Sequence, residues 1–186
     1  MDNKTPAICV FCGSSHGAKP AYAQAAIRLG TLIGERGFSM VFGGGNVGLM
    51  GECSRAARAA GAKVLGIIPG FLGRREVQGV DDVIVPDMQI RKQRMINEAD
   101  AFIILPGGLG TLDELFEVIS IAQLREHDKP IVVVNTDDFY APLWPMLARV
   151  VHEGFAMRNV ENLYHVVMTP EQAIEKIEQL LGHAPG

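Results

Sequence analysis

Several features that mark common protein classes are missing from this sequence. Its 186 residues include only three cysteines, and the first residues, MDNKTPAICVFCGSS, contain neither the basic segment nor the apolar core of a secretory signal. The apolar runs are short, such as Ala101–Leu105 and Ile131–Val134, whereas a membrane-spanning helix needs about 20 apolar residues. A net charge of −4 provides no basic excess for binding nucleic acid. We therefore expect a cytoplasmic protein with reduced thiols that binds neither membranes nor nucleic acid.

Sequence patterns for metal ions and for ATP are also missing. Cys9 and Cys12 form a C-x-x-C pair, but side chains three residues apart on a strand point to opposite faces. No second cysteine pair or histidine pair follows at metal-ligand spacing, and the Gly-Lys-Ser/Thr of an ATP-binding loop does not occur. The cysteines are therefore predicted to be core thiols, and we expect no metal and no cofactor.

Short apolar runs alternate along the chain with segments of helical period. The runs are hydrophobic throughout, as expected for strands with both faces covered. The predicted strands are Ala7–Cys12, Ser39–Phe42, Lys63–Ile68, Asp82–Val85, Ala101–Leu105, Pro130–Val134 and the short Tyr164–Val167. The predicted helices are Pro20–Arg36, Gly48–Ala60, Gln89–Ala99, Thr111–Arg125, Leu143–Glu153 and Pro170–Leu181. This order predicts one α/β domain over residues 1–186, with a doubly wound, Rossmann-like, mainly parallel sheet of six or seven strands and helices on both faces.

The sequence is rich in glycine, with 21 residues, and several of them follow predicted strands. The loops concerned are Gly13–Ser15, Gly43–Gly48, Pro69–Phe71 and Pro106–Thr111. Each could be an ordinary tight turn. In open parallel sheets, however, ligands bind at the carboxyl ends of the strands, where glycine lets the backbone approach a ligand closely. We therefore expect a cleft at this edge and assign Ser14, Gly44 and Gly45 to substrate binding.

One of these loops matches the dinucleotide-binding pattern G-x-G-x-x-G through Gly43, Gly45 and Gly48. A dinucleotide site also needs an acidic residue about 20 residues further on, which binds the ribose hydroxyls. The corresponding segment, Gly66–Phe71, contains no acid. NAD and NADP are therefore not expected, whereas contact of this loop with a phosphate or phosphosugar stays open.

The loop Pro106–Thr111 leads into a helix that carries Glu114 in its first turn. The glycines of this loop are Gly107, Gly108 and Gly110. They leave backbone N–H groups free at the helix start, where the helix dipole favours an anion, so we assign them and Thr111 to substrate binding. Two interpretations of Glu114 have equal weight. Either it closes a T-x-x-E capping box with Thr111, or it acts on a sugar whose phosphate lies on the loop amides.

A basic cluster lies upstream of this loop. Arg91, Lys92 and Arg94 fall within one predicted helical turn, next to the carboxyl end of the preceding strand. Such clusters are commonly solvated, but at this edge Arg91 can enter the cleft. The polar loop Gly73–Gly79 can close over a ligand, and its Glu76 either binds a hydroxyl group or faces water.

Taken together, these motifs resemble those of one protein family. The matching segments are VFCGSS, GGGNVGLMG, GIIP, MQIRK, PGGLGTLDE and DKP, which occur in the family's order over nearly the whole chain. The sequence resembles the Lonely Guy (LOG) family of cytokinin riboside 5′-monophosphate phosphoribohydrolases, many of which carry an older lysine decarboxylase-like label. The resemblance implies hydrolysis of the N-glycosidic bond of a purine nucleoside 5′-monophosphate, such as isopentenyladenosine monophosphate or AMP, to free base and ribose 5-phosphate.

The resemblance also implies roles for individual residues. The family's catalytic arginine and glutamate fall on Arg91 and Glu114, where Glu114 would stabilise an oxocarbenium-like ribosyl cation and Arg91 would hold Glu114 ionised. Family substrate contacts fall on Glu76, Lys92, Ser120 and the stretch Gly108–Glu114. The chain departs from the family at Gln89, where histidine is usual, and at Asp113, where a second glutamate is common. Both departures bear on the choice of base rather than on the catalytic pair.

Two other functions fit the same cleft less well. A lysine decarboxylase needs a lysine that forms a Schiff base with pyridoxal phosphate, and no lysine in this sequence has such a context. The stronger alternative is a non-catalytic carrier of a nucleotide or of the molybdenum cofactor. Retention of both Arg91 and Glu114 favours the enzyme.

The resemblance further implies a homodimer. The helix that begins near Thr111 is apolar nearly all round, as in helices that are deeply buried or shared between subunits. We expect this helix at the dimer interface, although burial within one subunit would explain the same pattern.

Overall fold

The computed structural model describes residues 5–70, 81–85, 87–157 and 160–182, with the backbone alone described at 81–85. The strands are β1 (Ala7–Phe11), β2 (Ser39–Phe42), β3 (Val64–Pro69), β4 (Asp81–Val85), β5 (Ala101–Ile104), β6 (Ile131–Val134) and β7 (His165–Val167). The helices are α1 (Pro20–Glu35), α2 (Gly48–Ala59), α3 (Met88–Glu98), α4 (Leu109–Gln123), α5 (Leu143–His152) and α6 (Pro170–Leu181). None of these helices is long and apolar enough to cross a membrane.

The seven strands form one parallel sheet in the order β4-β3-β2-β1-β5-β6-β7. The central strand β1 pairs with both β2 and β5, so that Cys9 lies opposite Val41 on one side and Phe102 on the other. The prediction of a doubly wound parallel α/β fold is confirmed, and each predicted strand end lies within one residue of the observed end. The largest shift is in α4, which begins at Leu109 rather than Thr111.

Both faces of the sheet are covered by helices, which explains why its strands are apolar throughout. Side chains of α1, α2 and α6, such as Leu29, Cys53 and Ile174, pack on one face. Side chains of α3 and α4, such as Met95 and Leu115, pack on the other. Fully burying one such large apolar side chain contributes about 1.5–3 kcal/mol, so these two layers are the main source of stability.

The C-x-x-C pair lies in these two layers rather than in one site. Cys9 packs in the layer of α3 and α4, whereas Cys12 packs with Cys53 in the layer of α1 and α2. All three cysteines are free and buried, and burial raises the pKa of each thiol. The prediction of core thiols is confirmed.

The direction of chain winding reverses between β1 and β5. These strands are neighbours, but the chain leaves β1 for α1 on one face and leaves β5 for α4 on the other. The loops that follow the two strands meet where the amide N–H of Gly13 donates to the carbonyl of Pro106 over 3.0 Å. Open α/β sheets bind ligands in the crevice at such a point, so the fold itself marks this edge as the candidate site.

Candidate active site

Arg91 is a buried cation at the start of α3. The carboxylate of Asp87 caps this helix by accepting a 2.8 Å hydrogen bond from the amide of Ile90, which fixes Arg91 in the first turn. Arg91 is only 8% exposed, and its Nε donates to the carbonyl of Ile67 in β3 over 3.0 Å. Its Nη1 lies 3.0 Å from Oε1 of Glu114. The partner of Arg91 is thus the glutamate of α4, and its role in a ligand cleft stays a prediction.

The first glycine after β2 provides the space that the guanidinium occupies. A Cβ at position 43 would overlap Nη2 of Arg91 and lie 3.2 Å from its Cζ. Gly43 is therefore needed because an arginine 48 residues further along the chain lies against it, and this packing accounts for a glycine that also fits the dinucleotide pattern. The interaction is invisible in the sequence because it joins two distant segments.

The start of α4 excludes the capping box that the sequence suggested. The helix begins at Leu109 with Gly108 at its N-cap position, so Thr111 is already the third helical residue and is buried. Glu114 forms its hydrogen bond with Arg91. The interpretation of Thr111 and Glu114 as a reciprocal cap is therefore wrong, whereas the alternative, in which Glu114 acts on a sugar, stays a prediction.

The glycines of the Pro106–Thr111 loop have two different roles. A Cβ at Gly107 would overlap Oγ1 of Thr111 and lie 2.9 Å from the amide nitrogen of Gly13, so glycine is needed there for close packing. A Cβ at Gly108 or Gly110 would meet nothing within 4 Å. The amides of the first three residues of a helix have no acceptor within the helix. Such amides at a helix start attract anions, and at Gly108 and Gly110 no neighbouring atom fills the place of a side chain.

The buried surroundings of Glu114 favour the protonated form of its carboxyl group more than water does. Its side chain is 13% exposed, and burial raises the pKa of the carboxyl group above 4.5. Arg91 opposes this effect, as the expectation that it holds Glu114 ionised requires, but burial is the larger influence. Carboxyl groups with raised pKa values in clefts are common among catalytic acids and bases.

Lys92 lies beside the buried pair but faces α4. Its Nζ is 2.8 Å from Oδ2 of Asp113 and 3.2 Å from Oε2 of Glu117. The hydrogen bond to Asp113 is the main reason that the pKa of Lys92 is raised. Sequence reasoning placed Lys92 among the substrate contacts but did not anticipate these two carboxylate partners.

The remaining predicted residues lie at different distances from the pair. Ser14 is exposed in the loop after β1. Gly44, with φ +75°, packs against Ile68, where a Cβ would lie 2.9 Å from Cδ1, and Gly45 packs against Met50. Ser120 is exposed and lies about 9 Å along α4 from Glu114, on another side of the helix, so the chain does not bring it to the pair. Glu76 and the loop Gly73–Gly79 lie outside the described residues.

Comparisons with known proteins show which family the sequence matches. A family model described as "Possible lysine decarboxylase" matches residues 50–177. Cytokinin riboside 5′-monophosphate phosphoribohydrolase LOG7 of Arabidopsis thaliana is 46% identical over 181 residues, which cover 96% of this chain and 82% of that protein. The enzyme of the same name called LOG in Oryza sativa subsp. japonica is 45% identical over 175 residues, which cover 92% of this chain and 72% of that protein.

Solved structures share the fold. The molybdenum cofactor binding protein of the phototrophic bacterium Rippkaea orientalis has a TM-score of 0.74 and 26% identity, and the match covers 96% of this chain and 99% of that one. The Moco carrier protein of Chlamydomonas reinhardtii has a TM-score of 0.73 at 22% identity over 97% and 100% of the two chains, which supports the fold alone. The sheet order and the reversal of winding between β1 and β5 define a doubly wound α/β protein. Within that class, the chain belongs to the Lonely Guy (LOG) family, whose family model carries the older lysine decarboxylase description.

Proposed function

We propose that this protein hydrolyses the N-glycosidic bond of a cytokinin riboside 5′-monophosphate, or of AMP, and releases the free base and ribose 5-phosphate. The observation that carries this proposal is the buried ion pair of Arg91 and Glu114, 3.0 Å apart at the carboxyl edge of the sheet. Its support from relatives is the 46% identity to an enzyme named for that reaction.

The start of α4 suits the phosphate of such a substrate. The free amides from Leu109 to Thr111 lie beside the open positions Gly108 and Gly110, and the helix dipole adds to their attraction for an anion. Glu114 is one turn further along the helix, where its carboxylate would repel the phosphate. The carboxylate is therefore better matched to the ribose, whose C1′ becomes positively charged as the bond to the base breaks.

The chemistry assigned to Glu114 is that of a glycoside hydrolase carboxylate. As a water oxygen bonds to C1′, the C1′–N9 bond breaks and its electron pair leaves with the base. Glu114 stabilises the cationic sugar and accepts a proton from the attacking water. It then releases this proton to solvent, and the departing base takes up one proton from solvent, so the products are neutral free base and ribose 5-phosphate. Arg91, fixed by Ile67 and Gly43, keeps the carboxylate oriented. A positioned acid–base group contributes about 10²–10⁴-fold to the rate.

Lysine decarboxylation does not fit the lysines of this cleft. The Schiff-base lysine of a pyridoxal phosphate enzyme must react as a neutral amine. Lys92 is instead paired with Asp113 and Glu117, and its pKa is raised, so it remains an ammonium group. Lys129 donates from Nζ to the carbonyl of Ile96 over 2.7 Å, on the side of the sheet away from the cleft. Neither lysine is therefore suited to form the Schiff base of that cofactor.

A carrier of a nucleotide or of the molybdenum cofactor is the alternative that the shared fold suggests, and product analysis separates the two. The purified protein is incubated with isopentenyladenosine monophosphate and, separately, with AMP. The hydrolase predicts free base and ribose 5-phosphate in equal amounts, with many turnovers per protein molecule. Recovery of the intact nucleotide, retained by the protein at up to one equivalent, would contradict the hydrolase and favour the carrier.

The assembly and the compartment are part of the same proposal. Leu115, Val118 and Ile119 of α4 are buried within the subunit, whereas Phe116 and Leu124 are 38% and 69% exposed. Burial within one subunit thus accounts for one side of α4 only, and the exposed side suits a homodimer interface. Three free, buried thiols agree with a reducing, cytoplasmic compartment. A mass near 20.1 kDa by light scattering, which is that of one chain, would contradict the homodimer.

A further inference from the structure

A second ion-pair bridge joins α3 to α4 next to the pair of Arg91 and Glu114. Nζ of Lys92 lies 2.8 Å from Asp113 and 3.2 Å from Glu117, and the lysine side chain is only 20% exposed. Lys92, Asp113 and Glu117 together form the Lys92 bridge. Because the lysine contacts two carboxylates at once, one on either side of Glu114 in the sequence, the bridge has a defined geometry.

The two interactions lie on the same turns of the two helices. Asp113 and Glu117 are four residues apart on α4, so they lie on one face of the helix, one turn from each other. Lys92 follows Arg91 directly on α3. Arg91 and Lys92 are neighbours on α3. Arg91 pairs with Glu114 of α4, and Lys92 pairs beside it with Asp113 and Glu117.

Among the residues that the structure describes, the first turn of α3 has little else to hold it against α4. The residues before Arg91 are Met88, Gln89 and Ile90, and all three are exposed. The first buried apolar side chain of α3 is that of Met95, one turn further on. The distance between Arg91 and Glu114 thus depends on a helix start that is fixed mainly by its polar contacts.

We propose that Asp113 and Glu117 are positioning residues: by holding Lys92, they set the spacing of α3 and α4 at which Arg91 meets Glu114. The bridge acts on turnover through the catalytic pair, so its kinetic effect rests on the proposed function. The two carboxylates balance the charge of Lys92, which leaves the substrate phosphate to the amides of α4. Glu117 touches Lys92 and acts on Glu114 through it.

The bridge also contributes to the titration of Glu114. In the described part of the chain, the titratable groups that face this carboxyl group are Arg91 and Lys92 on α3, Asp113 on α4, and the thiols of Cys9 and Cys12. Lys92 lowers the pKa of Glu114 and Asp113 raises it. The two thiols are neutral because burial raises their pKa values. A change in the bridge should therefore change the pKa of Glu114, which can be measured independently of catalysis.

The test uses Glu117→Gln, which removes one charge of the bridge. We expect kcat to fall about tenfold and KM to change less than about twofold, because a small displacement of the reacting groups slows the chemical step more than it weakens binding. Weaker contact with Arg91 should also raise the pKa of Glu114, measured by NMR of its carboxyl carbon. Lys92→Met should lower kcat further, and Lys92→Arg should restore part of it. The Glu114 titration is compared in Glu117→Gln, because Lys92→Met also removes a charge that acts directly on Glu114.

The matched control is Glu98→Gln, which breaks the 2.8 Å pair of Arg94 and Glu98 within α3 and should leave kcat and the Glu114 titration unchanged. Wild-type values of kcat and of the Glu114 pKa in Glu117→Gln would overturn the positioning role. So would a Lys92→Met variant that changes only KM, since that result makes Lys92 a direct substrate contact. If the wild type releases no base, the proposed function fails, while the carboxyl titration still decides whether the bridge positions Glu114.

Discussion

Gly43→Ala is the substitution whose consequence follows most directly from the packing of the cleft. The added methyl group would overlap Nη2 of Arg91 and lie 3.2 Å from Cζ. Carbon contacts are most favourable at about 3.5–4.0 Å, so the guanidinium must move by about 1.5 Å. Such a shift breaks the 3.0 Å contacts that Arg91 makes with Glu114 and Ile67.

The expected loss is larger in activity than in stability. A displacement of about 1 Å in a catalytic arrangement costs about 100-fold in rate, so kcat for base release should fall by that factor. Forcing one methyl group into a filled site costs about 1–3 kcal/mol of unfolding free energy, which a stable domain survives. The assay is the rate of base release from isopentenyladenosine monophosphate, with a urea melt to confirm folding.

Gly45→Ala is the matched comparison in the same loop. Its Cβ would lie 2.7 Å from Cε of Met50, the end of a flexible side chain that can repack, so we expect a loss of less than about tenfold. A folded Gly43→Ala protein with wild-type kcat would refute the reasoning, because Arg91 would then not need the position it occupies.

Three further predictions concern a helix end, a titration and a buried hydroxyl. Arg125 has φ +63° at the end of α4, where glycine is favoured, so Arg125→Gly should raise the unfolding free energy by about 1 kcal/mol; a urea melt that shows a loss contradicts this. Because burial raises the pKa of Glu114, the folded state holds that proton more tightly than the unfolded chain. Wild-type protein should therefore lose stability relative to Glu114→Gln as pH rises from 4.5 through the higher folded pKa, and a constant difference between their urea melts across this window would exclude the effect. Tyr140→Phe should cost about 1–2 kcal/mol in the same assay, because the buried hydroxyl donates to the carbonyl of Leu105 over 2.8 Å; a neutral result means that water replaces it.

The fold was predictable because its signal is local and repeated. The buried strands are short apolar runs, and most of them are followed by a segment of helical period. The parallel order then places every loop that follows a strand at one edge of the sheet, so the region of the cleft follows from topology. This reasoning brought Arg91 and Glu114 to the same edge, although the 3.0 Å contact between them depends on packing.

The start of α4 was misjudged because local preferences and tertiary contacts disagree there. Gly110 disfavours a helix, and the T-x-x-E spacing from Thr111 to Glu114 favours a cap, so sequence reasoning began the helix at Thr111. In the structure, Thr111 is buried against Gly107, and Glu114 pairs with Arg91. The burial of Thr111 and the long-range pair with Arg91 outweigh a capping preference of about 1 kcal/mol.

Two other features of the site have no local signal. The requirement for glycine at position 43 comes from Arg91, and the partners of Lys92 come from a different helix. A single sequence shows these residues as a glycine-rich turn and a basic cluster, each with an ordinary explanation. Only their packing against distant segments reveals which functions they serve.

The most direct test of the account is a single-turnover measurement with isopentenyladenosine monophosphate. Wild-type protein and Glu114→Gln are compared at equal, saturating occupancy, and the free base is measured over time. The account predicts base release by the wild type and a loss of at least about 100-fold in the variant, with binding of the nucleotide retained. Equal rates in two correctly folded proteins, or intact nucleotide in both, would contradict the assignment of Glu114 as the group that acts on the glycosidic bond.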